Sequence, residues 1–61
     1  MKQTIVYETE RVGAMYRGLV VDMDIYQVID RTGFYANADD ARAAAVSQWR
    51  ARKNAAVSIA A

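Results

Sequence analysis

The 61-residue chain contains no cysteine and no histidine, and these two absences narrow the chemistry that is open to it. Without cysteine there is no disulfide and no thiolate ligand for zinc. Without histidine the chain lacks the commonest metal ligand and the commonest general base near neutral pH. Ser47 and Ser58 therefore have no usual activating partner for nucleophilic attack. We expect a protein that is not an enzyme, with no catalytic residues and no cofactor.

The only acidic cluster that merits a test as a cation site is Asp22, Asp24 and Asp30. Asp22 and Asp24 are two residues apart, so on a strand both would project from the same face. Magnesium and calcium need more oxygen ligands than this pair supplies. We therefore predict no metal site and interpret the cluster as a solvated turn, with Asp30 capping the turn that follows.

Proline is also absent, and no apolar run is long enough to cross a bilayer. The N-terminus carries one lysine followed by a polar strand pattern, which is not typical of a signal peptide. The net charge of +1 is well short of the strongly basic balance of a typical nucleic-acid binder. These features predict a cytoplasmic protein with no membrane partner.

The first half of the chain is rich in β-branched and aromatic residues with period-two alternation, which is typical of strands. Strands are predicted at about residues 3–11, 14–22, 25–30 and 33–36. Gly13 marks a hairpin turn between the first two strands, and Gly18 indicates a bulge or a close backbone approach. The sheet should therefore have three or four antiparallel strands.

Two further turns are predicted along the meander. We favour a turn at Asp22-Met23-Asp24, although one bent strand from Met15 to Ile29 is an alternative. The segment Asp30-Arg31-Thr32-Gly33 matches a type I turn followed by a left-handed glycine. That turn would separate the third strand from the fourth.

One helix is predicted over about residues 38–53, because this segment is rich in alanine and has no glycine or proline. Asn37 is a good N-cap, and Asn54 is a plausible stop. Arg50, Arg52 and Lys53 would then lie in the last turns, where the helix dipole favours cations. Residues 55–61 are a tail that extends the helix, frays or adds contact surface. The helical spacing directs four side chains toward the sheet: Ala38, Ala41, Ala45 and Trp49.

The elements combine into one domain, residues 1–61, of the α+β class. The predicted architecture is an antiparallel β-meander of three or four strands followed by one C-terminal α-helix packed on one face. One helix covers only one face of a sheet. The other face must be polar, paired with a second copy of the chain, or used for binding.

Six aromatic side chains are too many for so small a core, so some are expected at the surface. Tyrosine, tryptophan, methionine and arginine are the residue types enriched at the centres of protein interfaces. We therefore predict a protein partner and a set of partner-binding residues on the strands and the helix: Tyr7, Tyr16, Arg17, Tyr26, Arg50 and Arg52.

Nucleic-acid binding is the alternative function, less favoured because the charge is nearly balanced. Arg42, Arg50, Arg52 and Lys53 would contact phosphates from the basic end of the helix, and Arg17 and Arg31 would extend this patch. A homodimer that buries the uncovered sheet face or the apolar tail is compatible with either function.

In overall style the chain resembles the very small α+β proteins of bacteriophages and other mobile elements. The features that carry the resemblance are the short length, the start at Met1-Lys2, the meander ending at Tyr35 and the alanine-rich helix from Asn37. Anti-CRISPR and other anti-defence inhibitors in this group dock on a host protein complex. The resemblance implies an inhibitor or modulator in the cytoplasm of a bacterial host, and it carries over no functional residues because it matches no motif.

Overall fold

The computed structural model describes residues 3–60 as one three-stranded sheet with one helix on it. The strands are β1 (Ile5–Val12), β2 (Met15–Asp22) and β3 (Gln27–Tyr35), antiparallel and in the order β1-β2-β3. The helix α1 (Ala38–Ala60) follows β3. The predicted α+β meander with one C-terminal helix is confirmed.

Gly13 makes the turn between β1 and β2, as predicted. Val12 pairs with Met15, so the turn has two residues, and Gly13 has a positive φ of 63° while Ala14 does not. A glycine with positive φ in the first position is the feature of a type II′ turn, whose twist suits a hairpin. Arg11 Nε donates to the Gly13 carbonyl at 3.0 Å and braces the turn.

The turn predicted at Asp30–Gly33 is wrong, because β3 runs unbroken through these residues. The register between β2 and β3 shifts on either side of Gly18, where Thr32 and Gly33 together lie opposite this one residue. Such a bulge disrupts the ladder locally. The Thr32 hydroxyl accepts from Gly18 N at 2.8 Å and so replaces the lost backbone partner. The segments expected as strands 25–30 and 33–36 are therefore one strand, Gln27–Tyr35.

The turn favoured at Asp22-Met23-Asp24 is present, at residues 23–26, and it separates β2 from β3. The alternative of one bent strand is excluded by the antiparallel pairing of Asp22 with Gln27.

Asn37 caps α1 as predicted. Asp40 N donates to Asn37 Oδ1 at 2.8 Å, and Asn37 Nδ2 donates back to Asp40 Oδ2 at 3.0 Å. The first helical hydrogen bond runs from Ala41 N to Asn37 O. This reciprocal pair satisfies an amide that the first turn otherwise leaves without a partner.

The predicted helix end at residue 53 is wrong, because α1 continues to Ala60, which is the first of the alternatives left open for the tail. Asn54 does not stop it, since the residues beyond include several alanines and neither glycine nor proline. Arg50, Arg52 and Lys53 consequently lie inside the helix, and its last turn has no basic residue. These cations therefore do not lie in the last turn of the helix, where the helix dipole would favour them.

The core lies where α1 crosses β2, and it is built from very small residues. Val20, Ala41 and Ala45 are completely buried there. A Cβ atom placed on Gly18 would overlap the Ala41 carbonyl oxygen and lie 2.7 Å from Ala45 Cβ. Glycine at this position therefore lets the helix backbone rest directly on the strand, which confirms the close approach that the sequence indicated.

Candidate functional site

The most exposed aromatic side chain among residues 3–54 is Tyr26, in the turn between β2 and β3. Its relative exposure is 81%, and that of its neighbour Ile25 is 57%. We call residues 23–26 the Tyr26 turn. It lies at the end of the sheet opposite the Gly13 hairpin, because successive turns of a meander alternate between the two ends.

Tyr26 is the only residue other than glycine with positive φ in the part of the chain that the structure describes, at 56°. The left-handed region is disfavoured for L-residues with a Cβ by roughly 1–2 kcal/mol. Asparagine and glycine adopt it more readily than tyrosine does. The turn therefore holds a bulky aromatic residue in a conformation that other residues adopt at lower cost.

Two aspartates and the segment before β1 hold the Tyr26 turn. Asp24 N donates to Asp22 Oδ1 at 2.9 Å, and Thr4 N donates to Asp24 Oδ2 at 3.1 Å. Met23 N donates to Thr4 O at 2.9 Å, and Gln3 Nε2 donates to Asp22 Oδ2 at 2.9 Å. Asp22 is buried, so the interpretation of the cluster as a solvated turn is wrong at this residue, whereas Asp24 is exposed. The carboxylates serve to fix the turn.

Asp30 does not cap a following turn but anchors the helix to β3. Its Oδ2 atom accepts from Gln48 Nε2 at 3.0 Å and forms an ion pair with Arg52 Nε at 2.7 Å. Oδ1 accepts from Arg31 N at 3.0 Å. The Asp30 side chain is 12% exposed and that of Arg52 is 61% exposed. Arg52 was predicted to bind a partner, but its guanidinium forms an ion pair with Asp30 of the same chain.

The sheet face opposite α1 has no covering element among residues 3–60. Gly18 faces the helix, so alternation assigns the odd-numbered residues of β2 to the uncovered side. The strand register then places cross-strand rows on this side, which we call the open face. The rows are Val6-Val21-Val28, Glu8-Leu19-Arg31, Glu10-Arg17-Phe34 and Val12-Met15.

Arg17 is held in place on the open face by two neighbours. Its guanidinium forms an ion pair with Glu10 Oε1 at 2.6 Å, and its Cζ lies 5.8 Å from the centroid of the Phe34 ring. A cation near a ring face at this distance is attracted by the ring quadrupole. Phe34, Val12 and Met15 are exposed around it. This end of the open face therefore offers apolar surface beside a neutralised charge.

The residues predicted to bind a partner do not form one surface. Tyr7 and Tyr16 are half-buried and lie on the helix side of the sheet. Tyr16 is on the same side of β2 as Gly18 and Val20, and Tyr7 is paired with Val20 across the strands. Arg17 is on the open face and Tyr26 is at the turn. Arg50 is exposed on α1, and Arg52 is bound to Asp30.

Four exposed apolar residues were missed as partner-binding candidates: Val12, Met15, Ile25 and Phe34. The signal that identifies three of them is the pairing register. Once β1, β2 and β3 are aligned through the Gly13 hairpin, Val12, Met15 and Phe34 fall on the side opposite Gly18.

The described range, residues 3–60, offers neither a metal centre nor a pocket. No group of three or more acidic residues in this range is close enough to hold a metal ion, and no pocket is found in it. No helix in the described range is long and apolar enough to cross a membrane. The Trp49 Nε1 atom is buried and has no hydrogen-bond partner there.

Comparison with protein-family models, with curated proteins and with solved structures finds no match for this chain.

Proposed function

We propose that this chain is a non-enzymatic protein-binding module that docks on a larger protein complex of a bacterial host. The Tyr26 turn is the contact we assign to that partner. The observation that carries the proposal is the combination of 81% exposure and a positive φ at one tyrosine. Neither property contributes to folding, since the side chain is outside the core and its backbone is strained.

Interface energetics favour a residue placed in this way. Tyrosine is enriched among the few interface residues that carry most of the binding energy. The hydrogen bonds from Thr4 and within the Asp22–Asp24 segment hold the turn before any partner arrives. A contact held in this way loses less conformational entropy on binding. Ile25 enlarges the apolar surface beside the tyrosine.

The mode of action we propose is steric occlusion of the host complex, as an inhibitor or modulator. The Tyr26 turn projects from one end of the sheet, opposite the Gly13 hairpin. A partner that receives the turn in a recess is then covered by the remainder of the sheet and the helix. Such an effect needs no catalytic group and no cofactor.

Replacing Tyr26 with asparagine is expected to abolish capture of the partner while leaving the fold intact. Asparagine tolerates the left-handed region, so the free energy of unfolding should stay the same or rise by up to about 1 kcal/mol. The measurement is affinity capture by the tagged chain from a nuclease-treated lysate of a bacterial host, quantified by mass spectrometry. Circular dichroism of both proteins reports the fold.

Tyr35→Asn is the matched control, because Tyr35 is a partly exposed tyrosine at the opposite end of the sheet. It should capture the same partner as the wild type in the same amount. Equal, nuclease-resistant capture by Tyr26→Asn and the wild type would remove the Tyr26 turn from the proposal. Failure of the wild type to capture any stoichiometric protein would remove the proposed function itself.

Nucleic-acid binding remains a second candidate, supported by one surface of α1. At 100° per residue, Arg42, Arg50 and Lys53 lie within an arc of roughly 80° on the helix. All three are exposed. This patch is in the body of the helix and not at its basic end, so phosphate contacts there would rely on the side chains alone.

The second candidate predicts binding of a labelled DNA duplex that weakens steeply as salt increases. Each phosphate contact adds about −0.9 to the slope of log affinity against log salt, so three cations should give a slope of about −3. Fluorescence anisotropy at low and moderate salt measures it, with Arg50→Glu reducing the affinity. Absence of binding at low salt eliminates this function.

A further inference from the structure

We propose that the open face is a self-association surface, on which a second copy of this chain packs face to face to form a two-fold symmetric sandwich. The proposal is independent of the Tyr26 turn, which lies at one end of the sheet. It rests on how charge and apolar residues are arranged across the three strands.

The charge on the open face changes sign from one edge of the sheet to the other. Its β1 edge carries Glu8 and Glu10, and its β3 edge carries Arg31. The middle strand between them contributes Leu19 and Val21. The row through Leu19 therefore has a carboxylate at one end, an apolar side chain in the centre and a guanidinium at the other end.

This arrangement is complementary to itself under one particular two-fold rotation. An axis that runs along β2 in the plane between two facing sheets turns the β1 edge of one copy toward the β3 edge of the other. Glu8 then faces Arg31 of the second copy, twice in the dimer, and Leu19 faces its own equivalent. A two-fold interface uses the same patch on both subunits, as this one does.

The competing axis, perpendicular to the strands, is disfavoured by the same charges. It would place the β1 edge of each copy against the β1 edge of the other, with Glu8 and Glu10 facing carboxylates. Like charges juxtaposed across an interface cost free energy. The axis along β2 also keeps the strands of the two sheets roughly aligned, which is the common packing of β-sandwiches.

The remaining rows are compatible with the proposed axis. The row Val6-Val21-Val28 is apolar at all three positions and meets an equivalent apolar row, in which Val6 and Val28 offer most of the surface because Val21 is only 9% exposed in the single chain. In the next row Glu10 faces Phe34 of the second copy and Arg17 faces its own equivalent, and each Arg17 is neutralised by Glu10 of its own chain at 2.6 Å. Each guanidinium is thereby drawn toward its own β1 edge, and the two β1 edges lie on opposite sides of the axis.

The size of the open face sets the expected strength of the dimer. Three strands about 4.8 Å apart and eight residues long, at about 3.3 Å per residue, give a face of roughly 14 by 26 Å. Two such faces would bury roughly 700 Å², below the range of stable interfaces and within that of weak, transient ones. The dimer should therefore form reversibly and depend on protein concentration in the micromolar range.

Charge reversal at the facing pair tests the proposal in the full chain. Glu8→Arg and Arg31→Glu should each raise the dimer dissociation constant about tenfold or more, because each creates two like-charge contacts. The double variant should return to within about threefold of the wild type, since the pairs re-form with reversed sign. Sedimentation velocity over a concentration series measures the constants.

The controls separate association from folding. Arg42→Glu makes the same change of charge as Arg31→Glu but on α1, away from the open face, and should leave the dissociation constant unchanged. Circular dichroism should show the same fold for all variants, because Glu8, Arg31 and Arg42 are exposed. A monomer at every concentration overturns the proposal, and so does a dimer that is indifferent to the two single reversals or is not restored by the double variant.

Discussion

Gly18→Ala is expected to lower the free energy of unfolding by about 3 kcal/mol, at the upper end of what overpacking usually costs. The new methyl group would overlap the Ala41 carbonyl oxygen and lie 2.7 Å from Ala45 Cβ. Neither obstacle is a flexible side chain that can rotate away, so the helix as a whole must move off the sheet. A domain of this length is stabilised by only about 3–9 kcal/mol in total. Urea denaturation followed by circular dichroism measures the loss.

Gly33→Ala is the control for this change. No atom lies within 4 Å of the position a Cβ would take at Gly33, and its φ is outside the left-handed region. The same methyl group should therefore change stability by less than about 1 kcal/mol in either direction. Equal effects at the two glycines would mean that close helix packing is not what Gly18 provides.

Asp30→Ala is expected to lower the free energy of unfolding by about 2 kcal/mol, because a carboxylate that accepts charged and neutral hydrogen bonds is removed. Arg52 loses its partner on β3, while Gln48 keeps only its hydrogen bond to the Arg31 carbonyl. Arg52→Ala should cost less than about 1 kcal/mol, since its side chain is largely exposed and solvent screens the ion pair. Thermal or urea unfolding of the two variants gives the comparison.

Asp30→Asn distinguishes charge from hydrogen bonding at the same position. The amide oxygen can still accept from Gln48, so its cost should fall between those of Asp30→Ala and Arg52→Ala. The double variant of Asp30 and Arg52 completes a mutant cycle that isolates their coupling. If Asp30→Ala costs no more than Arg52→Ala, Asp30 is not the anchor between the helix and β3.

Features specified by nearby residues were predictable from the sequence. Asn37 caps the helix through an amide three residues away, and Gly13 makes a turn that involves only its immediate neighbours. The spacing that directs Ala41 and Ala45 toward the sheet is equally local. Each of these predictions depends on a backbone geometry that a few consecutive residues determine.

Unlike the helix end predicted at residue 53, which depends on neighbouring residues, the errors in the sheet arose where a distant residue decides the outcome. Asp30–Gly33 has the composition of a turn, but Thr32 reaches Gly18, fourteen positions away, and keeps the strand in the sheet. Asp30 was assigned to that turn because its partners, Gln48 and Arg52, lie on an element whose position is not visible in the sequence. The positive φ of Tyr26 has no local signature either, since glycine or asparagine would be expected there.

The order β1-β2-β3-α1 also has a consequence for synthesis. Every strand pairs with its predecessor, so the sheet can form as soon as residue 35 is available, without waiting for a distant segment. The surface around Gly18 and Val20, however, is covered only when Ala41 and Ala45 follow. Until then the side of the sheet that the finished protein hides is open to chaperones and to neighbouring chains.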